Sequence, residues 1–152
     1  MLRRLVLAAL TLVSHSAAAQ EAEVLAEYWA SSGSLPPQYA WSVSVSIRVD
    51  GVVILKRCKG YATDGAACTT QEGRAEAERL DAIRAAIAAS GLVETPASQN
   101  ENIPAGGGST GGAVYVDSTK VNLPAHPAEA DAQRVGDVLS TIVAALPERL
   151  EE

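Results

Sequence analysis

Between Trp41 and Val49 the chain reads WSVSVSIRV: Trp41, Val43, Val45, Ile47 and Val49 alternate with Ser42, Ser44, Ser46 and Arg48. A period of two fits an extended strand with one buried face, because successive strand side chains point to opposite sides. Such a strand belongs in a sheet that is covered on one face and wet on the other, the habit of antiparallel sheets. Asp50-Gly51 follows, a dipeptide suited to a two-residue hairpin turn, and Val52–Cys58 supplies the returning strand. A two-residue turn pairs Val49 with Val52 and Ile47 with Ile54. It also puts Lys56 on the apolar face and Val53 and Leu55 beside the serines. That conflict calls either for Lys56 to reach water from the end of the sheet or for a bulge that shifts the register.

The other elements follow from similar signals. Val24–Ala30, with Tyr28 and Trp29, reads as a first strand. Ser31–Pro37 breaks regular structure, and Pro36 and Pro37 impose a stiff, extended segment. Thr69-Thr70-Gln71-Glu72 has the form of a capping box. It predicts a helix with Leu80, Ile83 and Ile87 on its apolar face, and with Arg74–Glu78 and Asp81–Arg84 at ion-pair spacing on the other. Gly91 suits a left-handed cap, Leu92 can fold back on the helix, and Pro96 bars its restart. Ser98–Gly112 reads as a polar, glycine-rich loop. Val114 and Val116, then Val121 and Leu123, alternate around a turn near Ser118 and predict a second hairpin. Pro127 opens a last helix, with Glu129 and Asp131 at its positive end and Val135, Val138, Leu139, Ile142 and Leu146 as its buried stripe. The order β-β-β-α-β-β-α predicts an α+β two-layer sandwich: an antiparallel sheet of about five strands with two helices on one face.

Residues 1–19 read as a secretory signal. Arg3 and Arg4 precede a short apolar run, Leu5–Val13, and Ala17–Ala19 offers a small-residue cleavage site. The expected mature chain, 20–152, is one monomeric domain, periplasmic or secreted, with no further stretch apolar enough to span a membrane. The whole chain carries 12 Lys+Arg against 18 Asp+Glu; without Arg3 and Arg4, 10 basic residues remain, for a net charge of −8. Such acidity argues against nucleic acid and anionic membrane surfaces as partners. Cys58 and Cys68 form an even pair, which in an exported chain predicts a disulfide. In the entropic account, so short a loop is worth about 2.5–3 kcal/mol. The alternatives are a reactive thiol or half a metal site. A metal site needs more ligands, and His126 is the sole histidine after the signal, so no metal and no cofactor is expected.

Gly106, Gly108 and Gly111 satisfy G-x-G-x-x-G. A dinucleotide fingerprint needs a strand before it and a helix after it; here Pro104 precedes and a strand follows. Successive glycine amides can still form an anion nest, but the glycines are better read as shaping the way into a strand. For nucleophilic chemistry, His126 could serve Ser109 or Cys68, yet no G-x-S-x-G elbow surrounds Ser109 or Thr110. The carboxylate pairs Glu72/Glu76 and Glu78/Asp81 fall on a solvated helix face. Arg48, Arg57 and Lys59 could gather on the serine face of the sheet and meet an acidic partner.

The segments SGSLPPQYAW (Ser32–Trp41), IRVDG (Ile47–Gly51), KGY (Lys59–Tyr61), IAASGL (Ile87–Leu92), GGGS (Gly106–Ser109), NLP (Asn122–Pro124) and VAALP (Val143–Pro147) together resemble a widespread group of small bacterial α+β domains of uncharacterised function. The likeness spans nearly the whole mature chain. In order of elements, and in its Ser-Gly, Asp-Gly and Gly-Leu landmarks, the chain is also similar to emfourin-type proteinaceous inhibitors of thermolysin-like metalloproteases. No inhibitory residue of that family matches a position here. The signal and the cysteine pair depart from the group's general pattern and fit an exported form. The lack of a catalytic set, on a stapled scaffold with two unusual loops, points to a binding module rather than an enzyme, and the resemblance implies a protease as one class of partner. The residues expected to bind lie in two loops: Leu35, Pro36, Pro37 and Tyr39 in one, and Gly107, Gly108, Ser109 and Thr110 in the other. A small hydrolase built on His126 and a passive envelope protein are the competing readings.

Overall fold

The computed structural model describes residues 23–62, 65–103 and 106–150; the signal segment and Pro104 lie outside them. The elements are β1 (Val24–Ser31), β2 (Trp41–Arg48), β3 (Val52–Lys59), β4 (Cys68–Arg74), α1 (Ala77–Ser90), β5 (Ser109–Val116), β6 (Thr119–Leu123) and α2 (Glu129–Ala144), with short 3-10 turns at Gly65–Ala67 and Glu148–Leu150. The strands form one six-stranded sheet in the order β4-β3-β2-β1-β5-β6, and every neighbouring pair is antiparallel. The α+β class and the two helices are as expected. The sheet has one more strand.

That extra strand corrects the capping-box reading. Thr69-Thr70-Gln71-Glu72 is extended and pairs with β3, with Thr69 opposite Arg57 and Glu72 opposite Ile54. Cys68 lies directly across from Cys58 in the ladder and is disulfide-bonded to it, with the Cα atoms 4.0 Å apart. The disulfide therefore joins the end of β3 to the start of β4, not to a helix. Pinning Cys68 beside Cys58 hands the next residues a ready ladder, and the β-branched threonines suit it. The helix starts only at Ala77, with Glu76 as a cap that makes no side-chain bond. Arg74 accordingly does not pair with Glu78; its guanidinium donates to the Asp50 carbonyl at 2.7 Å.

The first hairpin also departs from the simple turn. Ile47 faces Val53 and Ser44 faces Lys56, so Val49, Asp50 and Gly51 make a three-residue loop. Gly51 takes φ +88°, a left-handed conformation that glycine adopts without strain and that closes loops of this length with a bulge. The one-residue shift resolves the conflict. Val53 and Leu55 join the core, and Lys56 lies on the serine face. The same alternation separates the expected basic cluster: Arg57 and Lys59 face the helical layer, while Arg48 is on the open face at the other end of the strand pair. Arg57 donates to Gln71 Oε1 at 2.6 Å and to the Leu150 carbonyl. The second hairpin turns through Asp117 and Ser118 alone, with φ of 47° and 64°, as a two-residue turn of primed type requires.

Both helices pack on one face. Leu80, Ile83 and Ile87 of α1 and Val135, Val138 and Ile142 of α2 meet Ala26, Ile47, Val53, Leu55, Val114, Val121 and Leu123 from the sheet. Leu25 joins them because β1 bulges between Val24 and Ala26. Leu139 and Leu146 are half-buried at the edge of the stripe. Each fully buried Ile or Leu contributes about 1.5–3 kcal/mol by leaving water. Gly91 ends α1 with φ +65°, and Leu92 folds back to full burial. Asp131, in the first turn of α2, accepts the Ser98 amide at 2.7 Å and Arg134 Nη2 at 2.6 Å. Arg134 also donates to the Thr95 carbonyl, which fastens the chain after α1 to the start of α2. The Ser98 amide first, and Arg134 second, hold the Asp131 carboxyl below its usual pKa. Among the described residues, no helix is long and apolar enough to cross a membrane.

Candidate functional site

Antiparallel pairing brings the end of β1, the start of β2, the end of β3 and the start of β5 to one rim of the sheet. The two loops picked out as binding segments both leave from this rim, and they touch. Gly33 has φ +70°, and a Cβ there would lie 1.6 Å from the Gly107 carbonyl oxygen; only glycine allows that approach. Ser31 Oγ lies 3.1 Å from Ser109 Oγ. The proline loop is also fixed internally. Its base closes with Ser32 N–H donating to the Trp41 carbonyl at 3.0 Å, and Trp41 N–H donating to Ser32 Oγ at 3.0 Å. Its tip turns where Tyr39 N–H donates to the Pro36 carbonyl at 2.9 Å. On its other side, Tyr61 donates its hydroxyl to the Leu35 carbonyl, and Gly60 N–H bonds the Ala40 carbonyl.

The side chains this rim presents are large and apolar. Leu35, Tyr39, Trp41 and Tyr61 are 42%, 66%, 46% and 61% exposed, and Trp29 lies close by on the open face. Four of the chain's six aromatic residues are thus exposed at or beside one rim. Aromatic side chains with a polar end bury much area for few rotors, so they recur as anchors in protein interfaces. Lys59 stands opposite Trp41. A shallow cleft of about 310 Å³ runs between Trp41, Val43, Arg57, Lys59 and Thr69.

The glycine run is divided by the structure. Gly106–Gly108 belong to the loop, but Ser109–Gly112 are strand, paired with Trp29–Ser31 and Tyr28, which corrects their reading as loop. Gly111 and Gly112 serve packing. A Cβ on Gly111 would come within 2.7 Å of the Trp29 ring, and one on Gly112 within 2.3 Å of the Glu27 carbonyl oxygen. The Trp29 ring lies against Gly111 as a result. Leu35, Pro36, Pro37, Tyr39, Gly107 and Gly108 gather at the rim. Ser109 is joined to Ser31, and Thr110 stands in the strand opposite Ala30. Trp41 and Tyr61 were not picked out from sequence as binding residues; the alternation assigned Trp41 to the core face, and only its place at the strand's end leaves it open.

Of the groups in the hydrolase reading, one thiol is bonded and the histidine lies in the segment before α2. Cys68 is in the disulfide. His126 is half-buried, and its carbonyl accepts the Asn100 amide at 2.7 Å. Among the described residues, no group of three or more His, Cys, Asp or Glu could hold a metal ion. No protein-family model matches the chain, and no curated protein matches it.

Proposed function

We propose that the protein is an exported, non-enzymatic binding module that grips a protein partner with this rim, and that inhibition of a protease is the specific form of that activity. The observation carrying the proposal is the joining of a proline-stiffened loop to its neighbours by Tyr61 and Gly107 while Leu35, Tyr39, Trp41 and Tyr61 stay exposed. A loop ordered before docking loses less entropy on binding. The short turn of Pro36–Tyr39 makes a convex tip suited to a cleft. The disulfide supports export, because such bonds persist in oxidising compartments. The likeness to emfourin-type inhibitors supports a metalloprotease as the partner.

The test is inhibition of thermolysin-like and unrelated proteases by the purified protein, together with a pull-down of envelope proteins. Inhibition or a specific partner at micromolar concentration is expected. Both should be lost in Leu35→Ser/Tyr39→Ser, whose removal of two anchors costs about 2 kcal/mol or more each in a tight interface. No inhibition and no partner that depends on these two residues overturns the proposal.

A further inference from the structure

At the opposite end of the sheet, under α1, a cavity of about 500 Å³ opens to solvent. Ligand pockets span roughly 300–1,000 Å³, whereas packed interiors leave few voids larger than a water molecule. Its floor is core: Leu25, Ile83, Ile87 and Val114, none more than 6% exposed. Val49 and Val93 stand at the mouth and remain 40% exposed each. Apolar side chains thus line the cavity both at its mouth and at its floor.

The mouth is also charged. Glu23, Glu94 and Asp117 surround it, and the one guanidinium among the lining residues, Arg84, is held by Asp81 at 2.8 Å. Glu23 ties the rim together. Its carboxylate accepts the Ser118 hydroxyl at 2.8 Å, and its carbonyl accepts the Val49 amide at 2.8 Å. Both hairpin turns are thereby fixed to the start of β1, and the opening is built rather than left by loose packing.

We infer that this cavity binds a small amphiphile with an aliphatic body and a cationic head, an alkylammonium in the simplest case. The alkyl chain lies on Leu25, Ile83, Ile87 and Val114. The ammonium stays at the mouth among the three carboxylates, where it keeps part of its hydration and gains their field. A carboxylate head meets the same three charges as repulsion. This site is separate from the rim that carries the proposed function and does not depend on it.

Titration of the purified, oxidised protein with n-butylamine, n-hexylamine, n-octylamine and octanoate, followed by NMR shifts and calorimetry, tests the inference. Affinity should rise by up to about fourfold per methylene buried, and octylamine should bind at least tenfold more tightly than octanoate. Ala88 is an exposed residue of α1 at the cavity wall; Ala88→Trp should fill the opening and weaken octylamine at least tenfold. Glu94→Lys/Asp117→Asn should reverse the preference toward octanoate, and it checks the result independently if the tryptophan variant folds poorly. Leu35→Ser/Tyr39→Ser should leave octylamine binding unchanged. No octylamine binding at millimolar concentration, equal affinity for octanoate, or wild-type affinity in both cavity variants overturns the inference.

Discussion

At one end of the sheet the strands are joined by Val49–Gly51 and by Asp117–Ser118, the shortest strand-to-strand connections among the described residues. At the other end the chain takes Ser32–Ala40 between β1 and β2, and Gly60–Ala67 between β3 and β4. The short turns set register, because each fixes which residues face each other across a hairpin. The long loops set no register and are free to present side chains. That is why the aromatic residues gather at the loop end, while at the turn end Glu23 ties both turns to the start of β1. Loops on a rigid scaffold are where binding is built. Here the scaffold carries two candidate sites: an aromatic rim at one end and an acid-mouthed cavity at the other.

The comparison can be broken most forcefully from beneath the turn end. Ile83 is fully buried, and Ile83→Ala should cost about 2–5 kcal/mol in urea unfolding. Partner binding at the loop end should survive wherever the variant stays folded. At the loop end, replacing both Cys58 and Cys68 with Ala should cost about 2–3 kcal/mol, read as a lower urea midpoint, because the bond secures edge strand β4. A loss well below that range would mean that the β3–β4 ladder needs no bond to hold it.

Acid should loosen the junction of the two helices. The folded state holds the Asp131 carboxyl below its usual pKa, so the folded form takes up that proton less readily than the unfolded chain. Its stabilising effect is whole above the unfolded value of about 3.9 and is lost as pH falls through the folded value. Asp131→Asn should lower stability at neutral pH and reduce its decline below pH 4. An unchanged acid-unfolding curve counts against the Ser98–Asp131–Arg134 junction. The smallest effect on stability belongs to the rim. Leu35→Ser and Tyr39→Ser are surface changes and should shift unfolding by no more than about 0.5 kcal/mol. A larger shift would show that these side chains pack rather than bind.

Much of the architecture was legible along the chain. The alternation from Trp41 to Val49 gave one covered sheet face, and Leu80, Ile83 and Ile87 gave a helix that Gly91 ends. The stripe of α2 and the second hairpin were equally plain. The four residues from Thr69 to Glu72 were not, because a capping box and a polar edge strand can share the same letters. Within the candidate site, Leu35, Pro36, Pro37, Tyr39, Gly107 and Gly108 could be picked out as loop residues by their prolines and glycines. Trp41 and Tyr61 could not, since exposure at a strand's end depends on where the helices stop.

Local chemistry along the chain was enough for periodicity, for the places of the two hairpin turns and for the end of α1 at Gly91, since each of these is settled within a few neighbouring residues. The tertiary structure decided what depends on distant partners. Pairing with β3, beside the Cys58–Cys68 bond, placed Thr69–Arg74 in the sheet. The Gly51 bulge gave Lys56 to the serine face and Leu55 to the core. The contact of Gly33 with Gly107, 74 positions apart in sequence by their numbers, set the two loops side by side. No window of neighbouring residues contains any of these pairings, because each arises only when a sheet brings separate strands together.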